Sequence, residues 1–361
     1  MSALIRKIRI ERLELPFVRP FQNAKVRYET LSYLRVELQA DDLRGLGEIT
    51  AMPGYSSETL ASMEEALNRH YGPAIQGIDL FAESEIEAAI DRALPGNPYA
   101  RAALEMALWD ARGRFLGIPV HALIGGAVRT EVPIAAIIPL DAPPAMAANA
   151  RTWFKRGART FQVKISKDVE TSVARVRAVR AAVGRDSTIA VDGNGSFDRP
   201  TARRVMTAIA SFDIAFFEQP VAASDIAGMA ELVRIDSIPV VADECLVTAH
   251  DALRLVEARA AQGFNLKLAK SGIAETRRIM AIADAAGIPY GLGSMLETNF
   301  GTFAGIHMAA TIRNPFFPAE LVGPWMVRDK VSKVKPKLAA RQLAWKVPMG
   351  PGWGVQPDTG V

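Results

Sequence analysis

The chain has 361 residues, 49% hydrophobic and 23% charged, so a large core is available and disorder is excluded. Its 43 basic and 39 acidic residues leave a net charge of +4, interspersed except for Lys330, Lys333, Lys335 and Lys337. That run reads as a solvated face, which excludes a dedicated nucleic-acid binder. With one cysteine, no signal-peptide pattern after Met1 and no membrane-length apolar run, a soluble cytoplasmic protein is expected.

Ile8 to Leu15 and Tyr33 to Leu38 alternate apolar and polar residues, as antiparallel strands with one wet face do. Residues 20–23 form a connecting loop. Leu43 to Glu48 is a third strand, with Gly45 and Gly47 at turn positions. Residues 51–56 form a second loop, after which Ser57 and Glu58 open a helix that runs to Tyr71. Ile86 to Ala93 is a short helix. Pro98 starts a longer one, with Ala103, Leu104, Ala107, Leu108, Ala111 and Phe115 on one face. Gly117 and Pro119 stop it, and Gly125-Gly126 marks the passage to a second domain.

From Val132 the pattern becomes strand–helix alternation. Val132 to Ala136 is the first strand and Ala145 to Arg156 a helix. Five short apolar strands follow, ending in Lys164, Asp192, Glu218, Asp243 and Lys267, at spacings of 28, 26, 25 and 24 residues. That period, with a helix in each gap, belongs to a β/α unit stacked into a barrel. Pro289 to Gly293 is a seventh strand, Phe303 to Thr311 a helix, and Ala319 to Val322 the eighth strand. The expected organisation is a capping domain over residues 1–128, completed by the tail 326–361, and a barrel over 129–325. Gly291-Leu292-Gly293 lacks the third glycine of a dinucleotide loop. Cys245, just past a strand end, reads as a small half-buried residue.

Barrel enzymes keep their chemistry at the C-terminal ends of the strands, where all five charges lie. Alternation pairs Gln162 with Lys164, Ala190 with Asp192 and Phe216 with Glu218 on common faces. If the charged ends point inward, Val163, Val191, Phe217, Ala242 and Leu266 face the helices. Three partly buried carboxylates at one height repel, and a divalent cation relieves that cost. All-oxygen ligation points to Mg²⁺ first and Mn²⁺ second. The bland alternative is that the acids pair with Lys164 and Lys267 as internal salt bridges. The two lysines fall on strands two and six of eight, across the barrel from each other. A carboxylate substrate between them would present its α-carbon to one amine on each face. A buried lysine near a dication is expected to have a lowered pKa and to take a proton, with the metal stabilising the resulting enediolate.

These residues resemble the enolase superfamily in its muconate-lactonizing subgroup, the mandelate racemase/muconate lactonizing enzyme family. The likeness rests on Ala100 to Asp110, Val191-Asp192-Gly193-Asn194, Glu218-Gln219-Pro220, Ala242-Asp243-Glu244 and Asn265 to Gly272. It implies a modified TIM barrel, (β/α)7β, under an α+β N-terminal cap. It implies Asp192, Glu218 and Asp243 as metal ligands, Lys164 and Lys267 as acid/base residues, and Asn194 and Glu244 in support. Phe21 and Tyr55 are expected to cap the pocket, with Gln162, Glu297 and Glu320 also against substrate; Glu297 reads equally as a helix cap. Two departures stand out. Gln162 occupies the place of a usual lysine, and Glu320-Leu321-Val322 replaces the Asp-x-Asp of dipeptide epimerases. The expected activity is proton abstraction α to a carboxylate, as a racemase or epimerase, with a muconate-type cycloisomerase as the alternative and a non-catalytic binding barrel a distant third. The expected partners are a small carboxylate and further copies of the chain, with neither nucleic acid nor membrane.

Overall fold

The computed structural model describes residues 2–166, 168–235 and 237–355; residues 1 and 356–361, the ends of the expected capping segments, lie outside it. The first sheet is antiparallel, in the order β1 (Ile5–Gln22), β2 (Arg27–Ala40) and β3 (Leu43–Ala51). Its first strand runs further than the sequence suggested. Beyond a register shift after Pro16, which has no N–H to donate, pairing resumes at Phe21 with Tyr28. Phe21 therefore sits on a strand end and not in a loop.

Gly45 and Gly47 are not turn residues either. They lie within β3 and let the helix Pro98–Leu116 press its backbone against the strand. A Cβ at Gly47 would stand 1.9 Å from the carbonyl oxygen of Ala103, and one at Gly45 2.0 Å from that of Ala107. This helix is buried almost all round, because its other side packs on the helix Leu268–Ala286. There Glu105 accepts hydrogen bonds from the N–H groups of Ile273 (2.7 Å) and Ala274 (2.9 Å), where the chain re-enters the helix after Gly272 at φ 67°.

The helix expected from Ser57 starts later, at Leu60, because Thr59 and Ser62 form a reciprocal cap. Glu58 serves a different helix. Its carboxylate accepts from the N–H groups of Tyr99 (2.7 Å) and Ala100 (3.1 Å) at the start of Pro98–Leu116.

The expected first barrel strand splits in two. β4 (Glu131–Pro133) leaves the barrel, and β5 (Ala136–Ile138) opens it. The barrel continues as β6 (Thr160–Lys164), β7 (Thr188–Asp192), β8 (Ile214–Glu218), β9 (Val240–Ala242), β10 (Gly263–Leu266) and β11 (Tyr290–Leu292), all parallel and adjacent in sequence order. The eighth segment is not a regular strand, yet it closes the ring. The Glu320 N–H donates to the Leu292 carbonyl (3.0 Å), and the Ala135 N–H donates to that of Ala319 (2.9 Å). The architecture is the modified barrel under an α+β cap.

The wall partitions as alternation requires. Val163, Val191, Phe217, Ala242 and Leu266 join the main core outside the barrel, whereas Ala135, Ala190, Phe216, Val241 and Phe317 form a separate apolar plug. In the tail, β12 (Ala344–Lys346) pairs with β4. The Arg328 N–H then donates to the Pro16 carbonyl (2.9 Å), and Trp353 bonds Asp110 (2.9 Å) and the Leu46 carbonyl (3.2 Å). The tail thus touches barrel and cap. No described helix is long and apolar enough to cross a membrane.

Two stability predictions follow from the contacts of β3. Gly47→Ala forces a methyl into the Ala103 backbone and should cost about 1–3 kcal/mol in denaturant titration; unchanged stability would argue against the close approach. Glu48 accepts from the Thr298 N–H (2.9 Å) and hydroxyl (2.6 Å), and burial pushes its carboxyl up to about 7. The folded state therefore keeps a proton that the unfolded chain releases, so this residue's contribution falls as pH rises from 4.5 to about 7. Relative to the parent, Glu48→Gln should gain ~3 kcal/mol of unfolding free energy between pH 4.5 and 8. A parallel pH profile for the two proteins would refute it.

Candidate active site

Strand register assembles the site. Lys164 pairs with Asp192 and Asp192 with Glu218 across β6, β7 and β8. Glu218 pairs with Val241, which puts Asp243 two residues further on and on the same face. Lys267 directly follows β10. None of these five residues is more than 5% exposed.

The turns beyond the strands are strained. Asn194 (φ 45°) and Gln219 (φ 33°) adopt left-handed conformations that cost roughly 1–3 kcal/mol each. Asn194 uses that turn to donate its N–H to Asp192 (2.7 Å) and its amide to Asp192 (3.0 Å) and Glu244 (3.3 Å). Gln219 Oε1 accepts from the N–H groups of Asp243 (3.0 Å) and Cys245 (3.2 Å), fixing the end of β9. Cys245 is buried and its thiol is pushed up to about 12 by burial, which suits a structural residue.

Two of the acids are taken up by lysines. Lys164 forms an ion pair with Asp192. Lys267 Nζ lies 2.6 Å from Asp243 Oδ2, and Lys270 Nζ lies 2.5 Å from Oδ1. The Tyr55 hydroxyl donates to Asp243 (2.8 Å) and accepts from Lys267 (2.9 Å). The bland alternative therefore describes Asp192 and Asp243 as they stand, and among the described residues no three acids are set to share an ion. Glu218 differs. It accepts from the side-chain amides of Gln162 (2.6 Å) and Asn265 (2.7 Å), and the same amides reach Glu320 at 2.6 and 3.5 Å.

Charge balance decides what this cluster lacks. The buried acids Asp192, Glu218, Asp243 and Glu320, with Glu244 beside them, face three buried lysines, Lys164, Lys267 and Lys270, and half-buried Lys25 stands 3.8 Å from Glu244 at the edge. Burial pushes Glu218 well above the usual carboxylate range, and repulsion from Asp192, Glu320 and Asp243 adds to it. Burial likewise raises Glu244 and Glu320 to about 7. Burial also works upward on Asp243, but Lys267 and Lys270 outweigh it and hold that acid below its ordinary value. Gln162 Oε1, Asn194 Oδ1 and Glu244 Oε2 are buried oxygens without a hydrogen-bond partner among the described residues. An all-oxygen donor set in which burial and mutual repulsion hold Glu218, Glu244 and Glu320 toward their neutral forms fits a hard divalent cation, which would take the place of those protons.

The lysines are held up by the acids beside them. Burial alone would lower them, but Asp192 and Glu218 hold Lys164 above its usual range, and Asp243 and Glu218 hold Lys267 well above it.

Phe21, Tyr55, Glu320 and both lysines line a cavity of about 20 Å³, room for a single water. A cavity of that size has no room for a substrate. Gln162 lies beneath this cavity, on the Glu218–Glu320 bridge. Glu297 is not the cap of the helix that follows it, and it does not line this cavity. It accepts from the Ser294 hydroxyl (2.6 Å) and Met295 N–H (2.8 Å), shaping the turn that ends at Leu296 (φ 61°), while Thr298 caps the helix Asn299–Thr311. Sequence reasoning gave no role to Asn265, Lys270 or Gln219. The signal for Lys270 was its place three residues after Lys267, one turn along the same helix start.

Residues 145–361 match the family described as "Enolase C-terminal domain-like", and residues 7–125 match "Mandelate racemase / muconate lactonizing enzyme, N-terminal domain". The chain belongs to the mandelate racemase/muconate lactonizing enzyme family. Within this enolase-superfamily group, chloromuconate cycloisomerase of Pseudomonas putida is 30% identical over 98% of this chain and 96% of its own length. L-Ala-D/L-Glu epimerase of Bacillus subtilis is 32% identical over 86% of each. The crystal structure of muconate lactonizing enzyme from Pseudomonas fluorescens with muconolactone superposes with a TM-score of 0.94 at 31% identity, covering 99% and 98%. The chain is an isomerase of this superfamily, whose members depend on a divalent metal and act on small carboxylates.

Lys270→Met leaves the outer oxygen of Asp243 buried without its cation and should cost about 3 kcal/mol of stability in thermal or chemical unfolding. Full retention of stability would show that this ion pair contributes nothing.

Proposed function

We propose that this isomerase racemises or epimerises the α-carbon of a small carboxylic acid, most plainly an amino-acid derivative. The observation that carries this reading is the placement of the two lysines. Lys164 ends the second barrel strand and Lys267 follows the sixth, and each is ion-paired to a different acid of the cluster between them. Two amines on opposite sides of one bound carbon can remove a proton from either hand and return it to the other.

Asp192, Glu218 and Asp243 would hold the cation, Mg²⁺ before Mn²⁺, with Asn194 and Glu244 orienting that set. Bound there, the ion neutralises the substrate carboxylate and the charge that builds as the α-proton leaves. It also offsets the acids that now hold the lysines protonated. Lys164 and Lys267 would exchange the proton, and the Gln162 amide would keep Glu218 and Glu320 apart. Tyr55 and Phe21 would close over the substrate and exclude water, with residues 1–128 and the tail 326–361 as the capping unit. A lone buried cysteine suits a cytoplasmic site of action.

Cycloisomerisation is the second reading, favoured by Glu320-Leu321-Val322 in place of Asp-x-Asp and by the likeness to chloromuconate cycloisomerase. Exchange in heavy water separates the two. A racemate panel of acids, N-acyl amino acids and betaines with Mg²⁺ should yield a substrate whose α-proton exchanges from both stereoisomers. Lys164→Ala and Lys267→Ala should each slow exchange from one stereoisomer ~10²–10⁴-fold more than from the other. Equal residual exchange from both, or conversion only of a diacid to a lactone, would overturn the two-base reading.

A further inference from the structure

A second cavity, larger than the one between the lysines, lies outside the barrel. It has a volume of about 410 Å³ and opens between the first sheet, the helix Asn299–Thr311 and the segment 331–334. That volume is in the range of small-molecule sites, and about twenty times that of the space between the catalytic lysines.

Its lining is divided by chemistry. Leu46, Phe300 and Phe303 are buried and form an apolar floor. Arg9, Arg35, Arg44 and Lys333 contribute four positive charges against two from Glu11 and Glu37. The acids hold the guanidiniums only at long range, with one long hydrogen bond, from Arg44 to Glu37. Glu11 stands 3.7 Å from Arg35, and Glu37 stands 4.0 Å from Arg9 and 3.4 Å from Arg44. Arg35 is the centre of this set. Its side chain is only 16% exposed, and its Nε is buried with no hydrogen-bond partner among the described residues. A buried donor left unmade costs about 1–3 kcal/mol, and an acceptor arriving from solution recovers it. Lys333 brings in the basic run near the C-terminus, which the barrel chemistry does not use.

We propose that this cavity is a second binding site, selective for a small organic anion that carries its charge on an aromatic or branched apolar body. The carboxylate or equivalent group meets Arg35 and the positive rim, and the body lies on Phe300, Phe303 and Leu46. The site is independent of the barrel chemistry, and its test does not require turnover.

The probe is 4-fluorobenzoate, titrated into the full chain and followed by fluorine NMR, with 4-fluorobenzylamine as the cationic match. Benzoate should bind saturably and the amine should not. Arg35→Met should weaken benzoate about tenfold. Val334→Glu, at an exposed rim position, should weaken it several-fold and keeps the test decisive if Arg35→Met does not fold. Lys267→Ala should leave binding unchanged. Equal binding of the amine, indifference to Val334→Glu, or loss of binding in Lys267→Ala would each overturn the proposal, the last by placing the probe in the barrel.

Discussion

Five acids crowded into the mouth of one barrel are the constraint that the rest of this molecule answers to. Three lysines do not balance them, and burial raises the cost of every charge left over. The chain meets part of that cost itself. Lys164, Lys267 and Lys270 take up Asp192 and Asp243, while Glu218 and Glu320 share the amides of Gln162 and Asn265. Burial and mutual repulsion hold Glu218, Glu244 and Glu320 toward their neutral forms, and protons a hard dication could replace are the opening for one.

The fold supplies the rigidity such crowding needs. Strands in register bring Lys164, Asp192 and Glu218 to one height, with Asp243 and Lys267 stepped further along their strands, and an apolar plug fills the barrel beneath them. The strained turn at Asn194 aims its backbone N–H and amide at Asp192, while Gln219 accepts from the Asp243 N–H and fixes the backbone of that acid. Above, the cap reaches in through Tyr55, whose hydroxyl joins Lys267 to Asp243 across 188 residues of sequence. Cap and barrel are fastened elsewhere too, by Glu105 on the restart at Gly272, by Glu48 on Thr298 and by Trp353 on Asp110 and Leu46.

Most of the barrel was legible because its signal is local and repeated. A strand that ends in a charge every 24 to 28 residues needs no tertiary knowledge to be seen. The cap was less legible. Gly45 and Gly47 look like turn glycines until the helix that lies on them is known, and Glu58 looks like the start of its own helix until Tyr99 is found beside it. The first barrel strand was misplaced because β4 and β5 lie three residues apart, and only the return of the tail as β12 shows that β4 belongs outside the barrel.

The sequence by itself determined the repeat and the face on which each charged residue lies, because each follows from spacing along one strand or helix, and its motifs carried the resemblance to the family. Only the tertiary structure decided which acid each lysine takes, that Lys270 and Asn265 enter the site, and that Tyr55 fills it while Glu297 does not. Those outcomes depend on distances between residues far apart in the chain. They also depend on burial, which no linear pattern encodes and which sets the strength of every charge in the cluster.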